Sequence, residues 1–148
     1  MRDIVANTSF LIAVEKLSIE NEVGRLYKRI LIPAAVASEF GSAPPYVQVH
    51  PDTSLPWLKL LREDLNLGPG ESSAISLAHE KELPVLIDDQ RARKIAMHIG
   101  LHVSGTIGVL LKIQHSGVEG FSAYEHARRL RTLGFHISDS LLESIRNF

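Results

Sequence analysis

The chain has 148 residues, 45% of them hydrophobic and 22% charged, which fits one domain with a real core and leaves no room for a disordered half. Sixteen Lys and Arg against seventeen Asp and Glu give a net charge of −1, so the broad positive field of a non-specific nucleic-acid coat is excluded, although a local groove is not. Cysteine is absent, which removes disulfide scaffolds, thiolate zinc sites and cysteine nucleophiles, and is compatible with a reducing cytoplasm.

In chain order, Ile4-Val5 is a short apolar run ended by Asn7-Thr8-Ser9, and "SFLIAVEKL" follows with helical spacing of Leu11, Ile12, Val14 and Leu17. Asp3, Asn7, Thr8 and Ser9 break up the first segment, so neither a signal peptide nor a membrane span is expected, a span requiring about 18 apolar residues. The expectation is a cytoplasmic protein without a membrane partner. A second helix is predicted over "IENEVGRLYK", a strand over "RILIP", and a helix over "PAAVASEF" with Pro33 in its first turn. Residues 42–56 carry four prolines and read as a loop with a short extended piece. "WLKLLREDL" reads as a short helix before the turn "LGPG", "ESSAISLAHEKE" as a helix, "LPVLID" as a buried strand, and "QRARKIAMHIG" as a helix closed by Gly100. "LHVSG" reads as a strand and "TIGVLLKIQHSG" as a helix, and two further helices follow caps at Ser122 and Ser138.

Short apolar strands alternating with helices predict an α/β fold, a three-layer α/β/α sandwich with a central, mainly parallel sheet. It should form a single domain over 1–148, with C-terminal helices from about 122. Ligands in such sheets sit outside the carboxyl ends of the strands. Asn7 ends the first strand there, and Asp88-Asp89 end the strongest one. Glu39 shares the apolar face of Ala35 and Val36, and Glu71 heads the stripe of Ala74, Ile75 and Ala78. A glutamate on a core-facing stripe is costly without compensation, and a divalent cation compensates several converging carboxylates at once. Each position also has a plainer role open to it. Asp89 can cap the following helix, Glu71 can answer a helix dipole, Glu39 can reach solvent at the stripe's edge, and Asn7 can start a helix.

The remaining polar residues carry weaker signals. None of the seven histidines has compact metal-ligand spacing, and "LGPGE" lacks the second half of a dinucleotide loop. Ser9, Ser72 and Ser73 have no evident histidine base. Arg91, Arg93 and Lys94, like Arg128, Arg129 and Arg131, are solvated helix residues by default, some of which could line a phosphate groove.

"IVANTSFLIA", "ILIPAAVASEF", "LGPGESSAISLA", "VLIDDQRARKIA" and "VSGTIGVLL", in this order from residue 4 to about 113, resemble a branch of the PIN-domain proteins. The resemblance implies a PIN-like sandwich and a divalent-metal-dependent ribonuclease that uses one or two Mg²⁺ or Mn²⁺ ions, of the kind that includes toxins of toxin–antitoxin pairs. The family's first-strand acid falls on Asn7, and its other acids fall on Glu39, Glu71 and Asp89. The metal set implied is therefore Asn7, Glu39, Glu71 and Asp89, and the catalytic acids are Asp89, Glu71 and Glu39. Asp88 should point away from the pocket or assist at its margin, with Thr8, Ser9 and Thr106 as polar support. Arg91, Arg93 and Lys94 are the basic residues for flanking phosphates of single-stranded or structured RNA. An antitoxin-like protein and a second copy of the chain are the further partners implied.

Asn7 departs from the family's usual aspartate and removes one negative charge, which weakens a hard-cation site. The alternative reading is a PIN-fold module that binds RNA or a partner protein without turnover. A receiver-like phosphoacceptor domain, the other enzyme class with acids at strand ends, expects an acid pair where this chain has Asn7.

Overall fold

The computed structural model describes residues 1–53 and 56–148. Five parallel strands form one sheet among them: β1 (Arg2–Ala6), β2 (Tyr27–Pro33), β3 (Val47–His50), β4 (Val85–Leu86) and β5 (Val103–Ser104), in the order β3-β2-β1-β4-β5. Helices connect them: α1 (Thr8–Leu17) and α2 (Glu20–Leu26) after β1, and α3 (Ala34–Phe40) after β2. Between β3 and β4 lie α4 (Pro56–Lys59), a π-helical turn (Leu60–Asp64) and α5 (Pro69–Lys81). After β4 come α6 (Gln90–Ile99), α7 (Thr106–His115), α8 (Ala123–Thr132) and α9 (Asp139–Ile145), with β5 between α6 and α7.

Strand side chains alternate between two cores, as the pleat requires. Ile4, Ala6, Ile30, Ile32 and Leu86 face one side, where Phe10, Leu11 and Val14 of α1, Leu110 and Ile113 of α7, and Leu130 of α8 cover them. Val5, Leu31, Val85 and Ile87 face the other side, under Ala74, Ile75 and Ala78 of α5 and Ala92 and Ala96 of α6. A sheet buried on both faces explains why its central strands read as continuous apolar runs. The three-layer sandwich expected from the sequence is what forms.

Local signals set the helix ends. Pro69 sits in the first turn of α5, where its missing N–H costs nothing. Gly100 closes α6 at φ 102°, a left-handed conformation that suits glycine. Ser122 and Ser138 accept the N–H groups of Glu125 and Leu141 as caps.

The short extended piece expected within the proline-rich 42–56 stretch is a strand, β3, which pairs with β2 from Ile30↔Val47 to Pro33↔His50. It lies at the sheet edge with Gln48 and Val49 exposed, so it shows no buried alternation to read. The part of that loop expectation at 54–55 lies outside the described residues. The second helix ends at Leu26 rather than Lys28, because Tyr27 already begins β2 and is buried against the core.

Candidate active site

The strand order reverses direction at β1, which pairs with β2 on one side and β4 on the other. A crevice therefore opens at the carboxyl ends of β1 and β4, the usual ligand position in open parallel sheets. Asn7 lies there, 6% exposed. Its N–H donates to Leu86 O at 3.2 Å, and its Oδ1 accepts the Thr8 N–H at 2.8 Å, which caps α1. The amide oxygen expected to face a cation thus already serves the backbone beside it.

Glu39, in the last turn of α3, crosses to two other elements. Its Oε2 accepts the Thr8 hydroxyl at 2.8 Å and its Oε1 accepts the Gly70 N–H at 2.8 Å. One carboxylate ties the start of α1 to the first turn of α5. A Cβ on Gly70 would stand 2.6 Å from Glu39 Oε2, so only glycine allows this approach. Gly70 is a site residue that sequence reasoning missed, and the second glycine of "LGPG" was its signal.

Glu71 follows at once, half-buried in the same turn. Burial pushes its carboxyl above the ordinary range, and the negative charges of Asp89 and, less strongly, Glu39 push it further. A backbone hydrogen bond from Gly68 and the Arg91 charge oppose the shift. Of the three acids expected to converge, Glu71 lies within electrostatic reach of Asp89 and of Glu39.

The two adjacent aspartates divide their work in a way the sequence reading left open. Asp89 caps α6, its Oδ2 accepting the Ala92 N–H at 2.9 Å, so its plainer role is occupied. Asp88, expected to point away or assist at the margin, is bonded inside the crevice between α1 and α7. Its Oδ1 accepts the Thr106 N–H at 2.7 Å, and its Oδ2 accepts the hydroxyls of Thr106 at 2.6 Å and Ser9 at 3.0 Å. The helix α7 begins after Gly105, which has no side chain to cap it, and Asp88 supplies that cap from another element. A Cβ on Gly105 would meet Arg93 Nη1 at 2.7 Å and Asp88 Oδ1 at 3.0 Å, so this glycine too is fixed by close approach.

Thr8 thus supports Glu39, while Ser9 and Thr106 support Asp88. The basic residues are more committed than expected. Arg91 bonds the Leu65 and Asn66 carbonyls, and Arg93 donates to Ile87 O at 2.9 Å, whereas Lys94 is exposed.

Every candidate ligand atom here is an oxygen, and three belong to carboxylates, two of which repel the charge of Glu71, a donor set whose chemistry suits a hard cation such as Mg²⁺ or Mn²⁺. Among the described residues no three Asp, Glu, His or Cys side chains gather closely enough to hold an ion in the arrangement seen. Two surface depressions of about 410 and 430 Å³ lie away from the crevice, one on α8 and one between α1, α2 and the segment after α3.

The family described as DUF3368: PIN domain matches residues 3–147. A PilT N-terminus domain protein from the hyperthermophilic archaeon Sulfolobus solfataricus P2 has a similar structure, with a TM-score of 0.53 and 19% sequence identity over 80% of this chain and 95% of that one. That likeness is one of fold. No curated protein matches the chain. No helix among the described residues is long and apolar enough to cross a membrane.

Proposed function

The chain belongs to the PIN-domain family, which supports a nuclease-type function and nucleic-acid binding in general, and from that premise we propose a divalent-metal-dependent ribonuclease. The observation that carries the reading is Glu71: a half-buried carboxyl raised by burial and by the charges of Asp89 and Glu39. Such mutual repulsion is costly to the protein alone and useful to a site that binds a cation.

Glu39, Glu71 and Asp89 would hold the ion, with Asn7 offering at most a neutral carbonyl oxygen. When bound, Mg²⁺ or Mn²⁺ lends positive charge to a phosphodiester oxygen and makes water a better nucleophile at neutral pH. The chain's own residues do the positioning. Thr8 and Gly70 fix both oxygens of Glu39, the Ala92 N–H orients Asp89, and Asp88 ties Ser9 to the start of α7. Glu71, with the raised carboxyl, is the residue best placed to hold a proton and give it up as positive charge enters. Lys94 holds a flanking phosphate by charge, which positions an RNA strand without reading its sequence. A small open crevice favours an unstacked single strand or loop.

A second reading has its own support. Asn7 brings no charge, and its Oδ1 is engaged by the Thr8 N–H. This favours a module that binds RNA or a protein partner without turnover. A toxin-like role with an antitoxin partner, a homodimer and a cytoplasmic setting are parts of the proposal that rest on family membership.

Cleavage of a labelled single-stranded RNA, with and without Mn²⁺, tests the two readings using wild type, Glu71→Gln and Asp89→Asn. Metal-dependent cleavage lost in both variants supports the ribonuclease. Equal cleavage by all three proteins overturns the site, and RNA binding without metal-dependent cleavage supports the second reading.

A further inference from the structure

The depression of about 430 Å³ away from the crevice is lined by Glu15 of α1, Glu20 of α2, Phe40 at the end of α3, and Ser42, Pro44, Pro45 and Tyr46 of the segment leading into β3. Its volume is that of a small-ligand or side-chain pocket. Its walls are apolar and aromatic, and its charged groups are both carboxylates. Neither Glu15 nor Glu20 forms an ion pair among the described residues.

Tyr46 adds an independent sign of a missing partner. Its hydroxyl oxygen is fully buried and has no hydrogen-bond partner among the described residues, a costly state for a phenol. Burial, with smaller contributions from the charges of Glu20 and Glu15, pushes its ionisation up to about 12, so the hydroxyl stays neutral and its oxygen is free to accept a hydrogen bond from an N–H donor. An anion is repelled here, and a purely apolar ligand leaves two carboxylates unanswered. A cation on an apolar stem answers both kinds of wall: its stem meets the apolar surface of Phe40, Pro44, Pro45 and Tyr46, and its charge meets Glu15 and Glu20.

We propose that this depression is a docking site for an arginine or lysine side chain of a partner polypeptide. A polypeptide fits better than a free amine because Tyr46 runs directly into β3, the edge strand, whose outer edge has no partner strand among the described residues. An extended segment can pair along such an edge and present its side chain beside it. The proposal goes beyond the nuclease reading and uses none of the crevice residues.

The test is a ¹H–¹⁵N titration of the full chain with three probes: a hexapeptide with one arginine between apolar residues, the same peptide with neutral citrulline, and N-acetyl-arginine amide. The expected result is that the arginine peptide shifts the amides around Glu15, Glu20 and 40–47 and binds at least about tenfold tighter than either other probe. Glu15→Gln/Glu20→Gln should lose that advantage, its unchanged spectrum elsewhere showing that it folds, and Asp89→Asn should keep it. Equal binding of the citrulline peptide overturns the cation site. Equal binding of N-acetyl-arginine amide overturns the polypeptide, and shifts confined to other regions, or none, overturn both.

Discussion

Removing the Asp88 carboxylate should destabilise the protein far more than removing its neighbour. In Asp88→Ala, the Thr106 N–H and hydroxyl both lose their acceptor, and Thr106 is only 4% exposed. Each buried donor left unsatisfied costs about 1–3 kcal/mol, whereas the half-buried Ser9 hydroxyl can turn to water and adds little. The sum is about 2–6 kcal/mol, or a fall in Tm of about 4–24 °C for a domain of this size. Asp88→Asn keeps one carbonyl oxygen for the Thr106 N–H but turns its amide hydrogens towards two hydroxyls, which should cost about 1 kcal/mol. Asp89→Ala loses one N-cap bond, also worth about 1 kcal/mol. Urea denaturation of the three variants with an unchanged m-value measures these differences. If Asp88→Ala costs no more than Asp89→Ala, the inter-helix cap does not carry the start of α7 and the reasoning fails.

Glu71→Gln should abolish cleavage and yet raise the Tm of the metal-free protein at neutral pH. The folded-state pKa of Glu71 lies above its unfolded value, so the stability that its protonated form contributes is full below that value and is lost as pH rises through the folded one. Wild type and Glu71→Gln should therefore converge in Tm at acidic pH and separate towards neutrality, and parallel curves would refute the raised carboxyl. Gly70→Ala should displace Glu39, lower activity by about tenfold and cost about 1–2 kcal/mol, and most of that cost should vanish in a Glu39→Ala background, as a double-mutant cycle will show. Asn7→Asp should keep the cap on α1 and tighten Mn²⁺ binding by about tenfold in calorimetry, because it restores an anionic oxygen at the crevice. Unchanged affinity would place residue 7 outside the ion's reach.

Much of this fold was legible because burial leaves a period in the sequence. α1 carries an apolar stripe, β1 and β2 apolar runs, and Gly100, Ser122 and Ser138 mark ends by local stereochemistry. β3 was legible only as a short extended piece, since an exposed edge strand is defined by its hydrogen bonds to β2 rather than by which side chains it hides. The same distinction runs through the site. Glu39 and Glu71 stood out as charges on apolar stripes. The work of Asp88 did not, because its partners Ser9 and Thr106 come from α1 and α7, and only the strand order brings them together. Gly70 and Gly105 belong to the same class, two glycines fixed by side chains that approach from other elements.

The position of β1 in mid-sheet also dictates when the crevice can exist during folding. β1 and β2 are near in sequence and can pair early, but the Ser9–Asp88 bond spans 79 residues and Asp88 in turn needs Thr106. Closing so long a segment has an entropic cost that only the docking of β4 beside β1 repays. In a chain still emerging from the ribosome, the bonds that join α1 to α7 through Asp88 therefore cannot form until Thr106 is free to fold.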